Sequence, residues 1–134
     1  MVLGMVRFHP HPLIIINLKY GGFIMTIDFN KLKNDLCKAQ SKINEITDHE
    51  DGGSCNFDTC VIYLGRKSQK TLKCLSDLDL CSKIRPISSK FWSGWWFVNF
   101  DVIGQGNCRT RMVECGARFL SSQGWQTDVY YQID

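Results

Sequence analysis

The chain has 134 residues, 44% hydrophobic, 22% charged and 12% aromatic, with 7 Cys and a formal charge of +3. These values exclude a disordered tail, a collagen-like repeat and a coiled-coil rod. No apolar run approaches the ~18 residues that a membrane-spanning helix needs, so one soluble domain working in the cytoplasm, away from membranes, is expected.

Residues 1–24 differ in character from the chain beyond Met25. The apolar stretch Leu13–Leu18 is broken by Asn17 and lacks a small-residue cleavage site, so it makes a poor signal peptide. Gly21-Gly22 can be encoded by the purine-rich GGAGG that bacterial ribosomes pair with, and Phe23-Ile24 then supplies a spacer before Met25. The segment therefore reads as a disordered stretch upstream of the true start of a bacterial or phage gene, with one domain over 25–134. It carries Arg7 and Lys19 and no acid, so the remainder is nearly balanced in charge, which disfavours a nucleic-acid binder. His9 and His11 leave with it, and His49 is the histidine that remains.

From Thr26 to about Thr47, Phe29, Leu32, Leu36, Ala39, Ile43 and Ile46 recur at alternating steps of three and four, which predicts an amphipathic helix. Thr26 is its expected N-cap, and Asp28 suits the positive end of the helix dipole. The stripe is expected to pack on a sheet, with a helix-pairing seam in a homodimer as the alternative. Asp48–Ser54 is a polar loop. Phe57–Leu64 reads as a strand, Gly65–Ser68 as a turn and Lys70–Leu75 as the returning arm of a hairpin. Between Ser76 and Lys90, Leu78 and Leu80 suggest a short helical turn, while Pro86 and Ser88-Ser89 mark a break.

Phe91–Ile103 reads as one long strand. Trp92, Gly94, Trp96, Val98, Phe100 and Val102 fall on a core face, and Phe91, Ser93, Trp95, Phe97, Asn99, Asp101 and Ile103 on the other. Asn107 is expected to cap a second helix with Cys108, Met112, Cys115, Gly116 and Phe119 on its apolar side. Gly124 would end it as a left-handed C′ residue, with Trp125 closing a Schellman contact. Gln126–Ile133 is the final strand. The order predicts a single α+β domain: an antiparallel-rich sheet of about four or five strands, an N-terminal amphipathic helix and a second helix before the last strand.

Cys37, Cys55, Cys60, Cys74, Cys81, Cys108 and Cys115 contain no C-x-x-C pair. They read as mostly small, buried, reduced hydrophobes, and neither a metal nor a cofactor is expected. The best candidate for chemistry is the strand-turn-helix junction Gly104, Gln105, Gly106, Asn107 and Arg109, where glycines, helix N–H groups and a cation suit a phosphate or carboxylate. Arg111 and Arg118 read as surface partners of Glu114. Trp95, Phe97 and Asn99, with Tyr130, would add stacking and polar contacts unless the first helix covers them. The turn Arg66-Lys67-Ser68-Gln69-Lys70, with Lys73, reads as a solvated tip. Asp48, His49, Glu50 and Asp51 form the one acidic cluster with a histidine.

No Walker loop, nucleophile elbow or HExxH pattern is present. The expectation is a non-enzymatic accessory protein of phage or mobile-element type that binds an anionic, nucleotide-like small molecule at the glycine junction. The alternatives are an inhibitor or adaptor of a host protein, of counter-defence type, using the aromatic strand face, and a small hydrolase using His49 with acids or a Cys.

Overall fold

A computed structural model describes residues 14–17 and 23–132. Its elements run β1 (Ile14–Asn17), β2 (Phe23–Thr26), α1 (Phe29–Asn44), β3 (Thr59–Tyr63), α2 (Gln69–Asp77), β4 (Ile84–Pro86), a single 3-10 turn (Lys90–Trp92), β5 (Trp95–Val98), α3 (Asn107–Ser122) and β6 (Thr127–Tyr130). Four strands form one sheet in the order β4-β5-β3-β6, every neighbouring pair antiparallel, and β1 pairs antiparallel with β2. This is the α+β architecture expected from the chain order. Within the segment expected to be disordered, Ile14–Asn17 lies opposite Phe23–Thr26; Arg7, His9, His11 and Lys19 lie outside the described residues.

Helix α1 forms because its apolar residues recur on one face, and Leu32, Leu36, Ala39 and Ile43 are buried there. Each such Leu or Ile contributes about 1.5–3 kcal/mol when fully buried. The cap is Asp28 rather than Thr26: its carboxylate accepts from Lys31 N at 3.0 Å, whereas Thr26 still belongs to β2. Two turns in, Asp35 is buried too, accepting from Lys31 Nζ at 2.6 Å and Trp125 Nε1 at 2.8 Å. That pair of donors lets a carboxylate sit inside an apolar seam and ties the start of α1 to the end of α3.

The core lies on one face of the sheet. Cys60 and Ile62 from β3, Trp96 and Val98 from β5 and Val129 from β6 meet Leu32, Leu36 and Ala39 of α1 and Val113, Ala117 and Leu120 of α3. On α3 the buried face is Cys108, Met112, Val113, Gly116, Ala117, Leu120 and Ser121. Cys115 and Phe119, expected inside, are half-buried, because α3 wedges between α1 and the sheet and needs a broader apolar surface than one stripe. Its end follows the expected Schellman pattern: Gly124 has φ 98°, Trp125 N donates to Leu120 O and Gly124 N to Ser121 O.

Three expected elements differ. Lys70–Leu75 is not a hairpin arm but part of α2, because Ser68 accepts from Thr71 N and Leu72, Leu75 and Leu78 recur at helical spacing. The partners of β3 are instead β5 and β6. The long strand Phe91–Ile103 shrinks to Trp95–Val98. Ser89 starts a 3-10 turn and Gly94 takes φ 85°; after Val98 one more bond, Asn99 N to Lys83 O, follows the β4 register, and the chain then leaves the sheet as Asp101 pairs with the Gln40 carboxamide. Finally, β6 covers only Thr127–Tyr130, and Ile133 lies outside the described residues.

Only Cys60 and Cys108 are buried, correcting the expectation that most of the thiols are. Cys37, Cys55 and Cys81 are exposed. No helix among the described residues is long and apolar enough to cross a membrane.

Candidate functional site

The glycine junction has the geometry its sequence suggests, and its donors already hold an anion. After Ile103 the chain turns through Gly104 at φ 87° and enters α3 with Gly106 as N-cap. Asn107, expected to be the cap, is the first helical residue, and no side chain caps the helix from within. The carboxylate of Asp51 arrives from the loop instead, accepting from Gln105 N at 2.8 Å, Gly106 N at 2.9 Å and Cys108 N at 3.1 Å. These bonds, led by Gln105 and Gly106, hold the Asp51 carboxyl below its ordinary value of 3.8. The fit is close: a Cβ on Gly104 would lie 2.8 Å from Asp51 Oδ2, and one on Gly106 2.5 Å from the Gly52 carbonyl. The anion site read from the sequence is therefore filled by the chain itself.

Arg109, expected to provide the free cation there, donates from Nε to the Asp58 carbonyl at 3.0 Å. Asp58 is a second organising carboxylate, buried, accepting from Gln132 N at 2.9 Å and Thr110 Oγ1 at 2.7 Å. Arg111 does not pair with Glu114. It reaches the carbonyls of Asp48 and Glu50, at 3.1 and 2.6 Å, and so clamps the loop that delivers Asp51. Glu114 instead accepts the Tyr131 hydroxyl, while Arg118 is exposed. His49 is exposed as well, with Nε2 at 3.0 Å from the Ile46 carbonyl. Among the described residues no three His, Cys, Asp or Glu side chains are placed to hold a metal ion.

The face of the sheet opposite the core carries the aromatic residues. Val61, Tyr63, Trp95, Phe97, Asp128 and Tyr130 share that face through the register, while Cys60, Ile62, Trp96 and Val98 point to the helices. Neither Trp95 nor Phe97 is covered by α1, which packs on the other side. Ring contacts run continuously: Tyr63 to Trp95 at 5.7 Å, Trp95 to Trp92 at 5.8 Å, Trp92 to Tyr130 at 5.3 Å and Tyr130 to Phe97 at 5.6 Å. Arg85 stands over Phe97 with Cζ 5.4 Å from the ring centre. Trp92, placed on the core side by strict alternation, joins this face because the 3-10 turn resets the period. Asn99 is exposed, beyond the end of β5 and apart from the aromatic chain; its Nδ2 lies 3.4 Å from the Ser82 carbonyl.

At one end of this face a cleft of about 380 Å³ opens between the β3–α2 loop and the segment joining β4 to β5. Arg66, Lys67, Ser88, Ser89, Lys90, Ser93 and Trp95 line it, and no acid among the described residues does. None of Arg66, Lys67 and Lys90 forms an ion pair among the described residues, in contrast to Lys31, Lys42, Lys73, Lys83 and Arg111. The two loops are locked side by side by backbone bonds from Leu64 N and Gly65 N to Gly94 O, and by Trp96 Nε1 to Gly65 O at 2.9 Å. Sequence reading found the basic turn and the serines separately. It could not join them, because their proximity follows from β5 lying beside β3.

Comparison with protein-family models, with curated proteins and with solved structures returned no match.

Proposed function

We propose that the protein is a non-enzymatic binder of an anionic, nucleotide-like small molecule, and that the ligand sits in the Arg66–Lys67–Lys90 cleft rather than at the Gly104–Arg109 junction. The observation that carries this reading is a concave site with three cations outside any ion pair among the described residues, three serines and an indole wall, and with no acid among its lining. Its volume falls within the ~300–1,000 Å³ usual for small-molecule sites. Arg66 offers a planar fork for phosphate oxygens, Lys67 and Lys90 add point charges, and Trp95 offers a surface for a planar base. The junction is the weaker choice because an incoming phosphate would have to displace the Asp51 carboxylate from three amides.

The test is a titration of nucleoside mono-, di- and triphosphates followed by tryptophan fluorescence and thermal shift. Wild type is expected to bind, and Arg66→Ala with Lys90→Ala to weaken binding about tenfold per charge removed at unchanged Tm. Arg109→Ala is expected to leave affinity in place. A wild type that binds no member of the panel, or one whose affinity follows Arg109 alone, overturns the reading.

A second reading, an adaptor or inhibitor of a host protein, is favoured by Phe91, which is 96% exposed beside the ring chain of Trp92 and Trp95. An unburied aromatic next to a hydrophobic platform is the usual form of an interface anchor. On this reading Phe91→Ser abolishes co-purification of a stoichiometric partner while the nucleotide titration stays silent.

A further inference from the structure

A second cavity lies on the other side of the molecule, where α1 meets the turn after α2 and the end of β5. Its volume is about 320 Å³, and Leu36, Leu80, Val98 and Phe100 line it together with Cys37, Gln40, Lys33, Lys83, Asp79 and Asn99. The apolar part is a continuation of the core: Leu36, Leu80 and Val98 keep only 7%, 5% and 2% of their surface exposed. The groove persists because the Gln40 carboxamide is engaged by the Asp101 backbone, donating to its carbonyl at 2.9 Å and accepting from its N–H at 2.8 Å. That pair of hydrogen bonds to the backbone fixes one wall against α1. The opposite wall is set by the α2 Schellman turn, in which Leu80 N donates to Leu75 O and Asp79 takes a left-handed φ of 60°.

We infer that this groove is a binding site for a small amphipathic carboxylate, a medium-chain or aryl-alkyl acid. Charge chooses the head group. Lys33 forms no ion pair among the described residues, and Lys83 is held only by Asp101, 3.5 Å away and largely in water, a contact of little worth. Asp79 and Asp101 balance the two lysines in number, but Lys33 is engaged by no acid among the described residues, so a carboxylate head entering at Lys33 meets an unpaired cation. Size chooses the body. The volume is near the lower end of small-molecule sites, suited to one chain or one ring with a short linker. The apolar lining rewards a hydrocarbon body, and the polar atoms at the mouth come from Lys33, Lys83, Asn99 and Gln40. This site is independent of the cleft at Arg66 and Lys90, which lies at the edge of the opposite sheet face.

Cys37 provides the readout, since it is exposed and lines the groove, whereas Cys55 and Cys81 are exposed and do not. The probes are decanoate and 4-phenylbutyrate, each against the matching alcohol. Alkylation of the full chain with iodoacetamide is followed thiol by thiol by peptide mass spectrometry. The acids are expected to slow Cys37 modification at least fivefold while Cys55 and Cys81 react unchanged. Lys33→Gln, at an exposed residue without an ion pair among the described residues, is expected to weaken protection by the acids about tenfold and to leave the weak protection by the alcohols as it was. Failure of both acids to protect Cys37 overturns the inference. So do equal protection by acid and alcohol, and indifference to Lys33→Gln.

Discussion

Asp51 shows how a single side chain can satisfy the pattern that suggests a ligand. Glycines before a helix, unpaired N–H groups and a nearby arginine were all legible in the sequence, and they do form an anion site; the anion simply comes from a loop 54 residues upstream of Gln105. Neither Asp51 nor its loop could be placed from the sequence, because the approach depends on Arg111 drawing the carbonyls of Asp48 and Glu50 onto α3. The pH dependence follows from the sign of the shift. A carboxyl held below its ordinary 3.8 stabilises the fold while ionised; that contribution is complete above the unfolded value and vanishes as pH falls through the lower folded value. Thermal melts from about pH 5 to pH 2 should therefore show a Tm that falls with acid more steeply in wild type than in Asp51→Asn. At neutral pH the Asn variant should melt lower. Parallel acid limbs would show that the three amides are satisfied equally well without the charge. Asp58 works in a less exposed setting, and Asp58→Ala should cost about 1–3 kcal/mol in urea unfolding by orphaning Gln132 N and Thr110 Oγ1.

At the scale of elements, the sequence was most readable where one physical cause sufficed. The α1 stripe, the alternation of Trp95, Trp96, Phe97 and Val98, and the Gly124–Trp125 stop each rest on local periodicity or one left-handed glycine. It was least readable where two causes competed. In α2, the residues Gln69 to Asp77 are short enough to pass for a strand, and the Ser68 cap decides the matter only once Leu75 has a core to enter. In the β5 region, aromatic composition favours a long strand, but Phe100 must leave the ladder to lie across Gly116. That crossing is tight enough to test. A Cβ at residue 116 would collide with the Phe100 ring, and because the ring is packed between α3 and α1 it has little room to yield. Gly116→Ala should thus lose about 1–3 kcal/mol despite a better helix propensity. The opposite sign is expected at Asp79, which holds a left-handed conformation at the C′ position of α2. Asp79→Gly should gain about 0.5–1 kcal/mol, read as a higher urea midpoint at unchanged slope.

For the whole molecule, the sheet separates two kinds of surface. Helices α1, α2 and α3 all contribute to the apolar layer on one face, while on the aromatic face Val61 and Asp128 are fully buried as well. The rings there are tied to one another and to Arg85, and they leave the cations at Arg66, Lys67 and Lys90 without ion-pair partners among the described residues at the adjoining edge. Every one of these groups was visible in the sequence with no means of sorting them, since a face is defined by register between strands far apart in the chain. Thiols show the same division and allow it to be measured. Cys60 sits in the middle of the core, where burial pushes its thiol far above its ordinary value, and Cys108 is fully buried at the start of α3. Cys37, Cys55 and Cys81 face water, with Cys74 and Cys115 between. An alkylating reagent thus reaches the thiol at three positions and is shut out by burial at two. Pulse alkylation of the native protein should label Cys37, Cys55 and Cys81 in a fast phase. Cys60 and Cys108 should wait for global opening, at rates that rise together with added urea because the two buried clusters that hold them are joined through Phe100 and Val102. If Cys108 reacted well before Cys60, the Asp51 loop and the first turn of α3 would open as a unit of their own, and the junction would be available to a ligand after all.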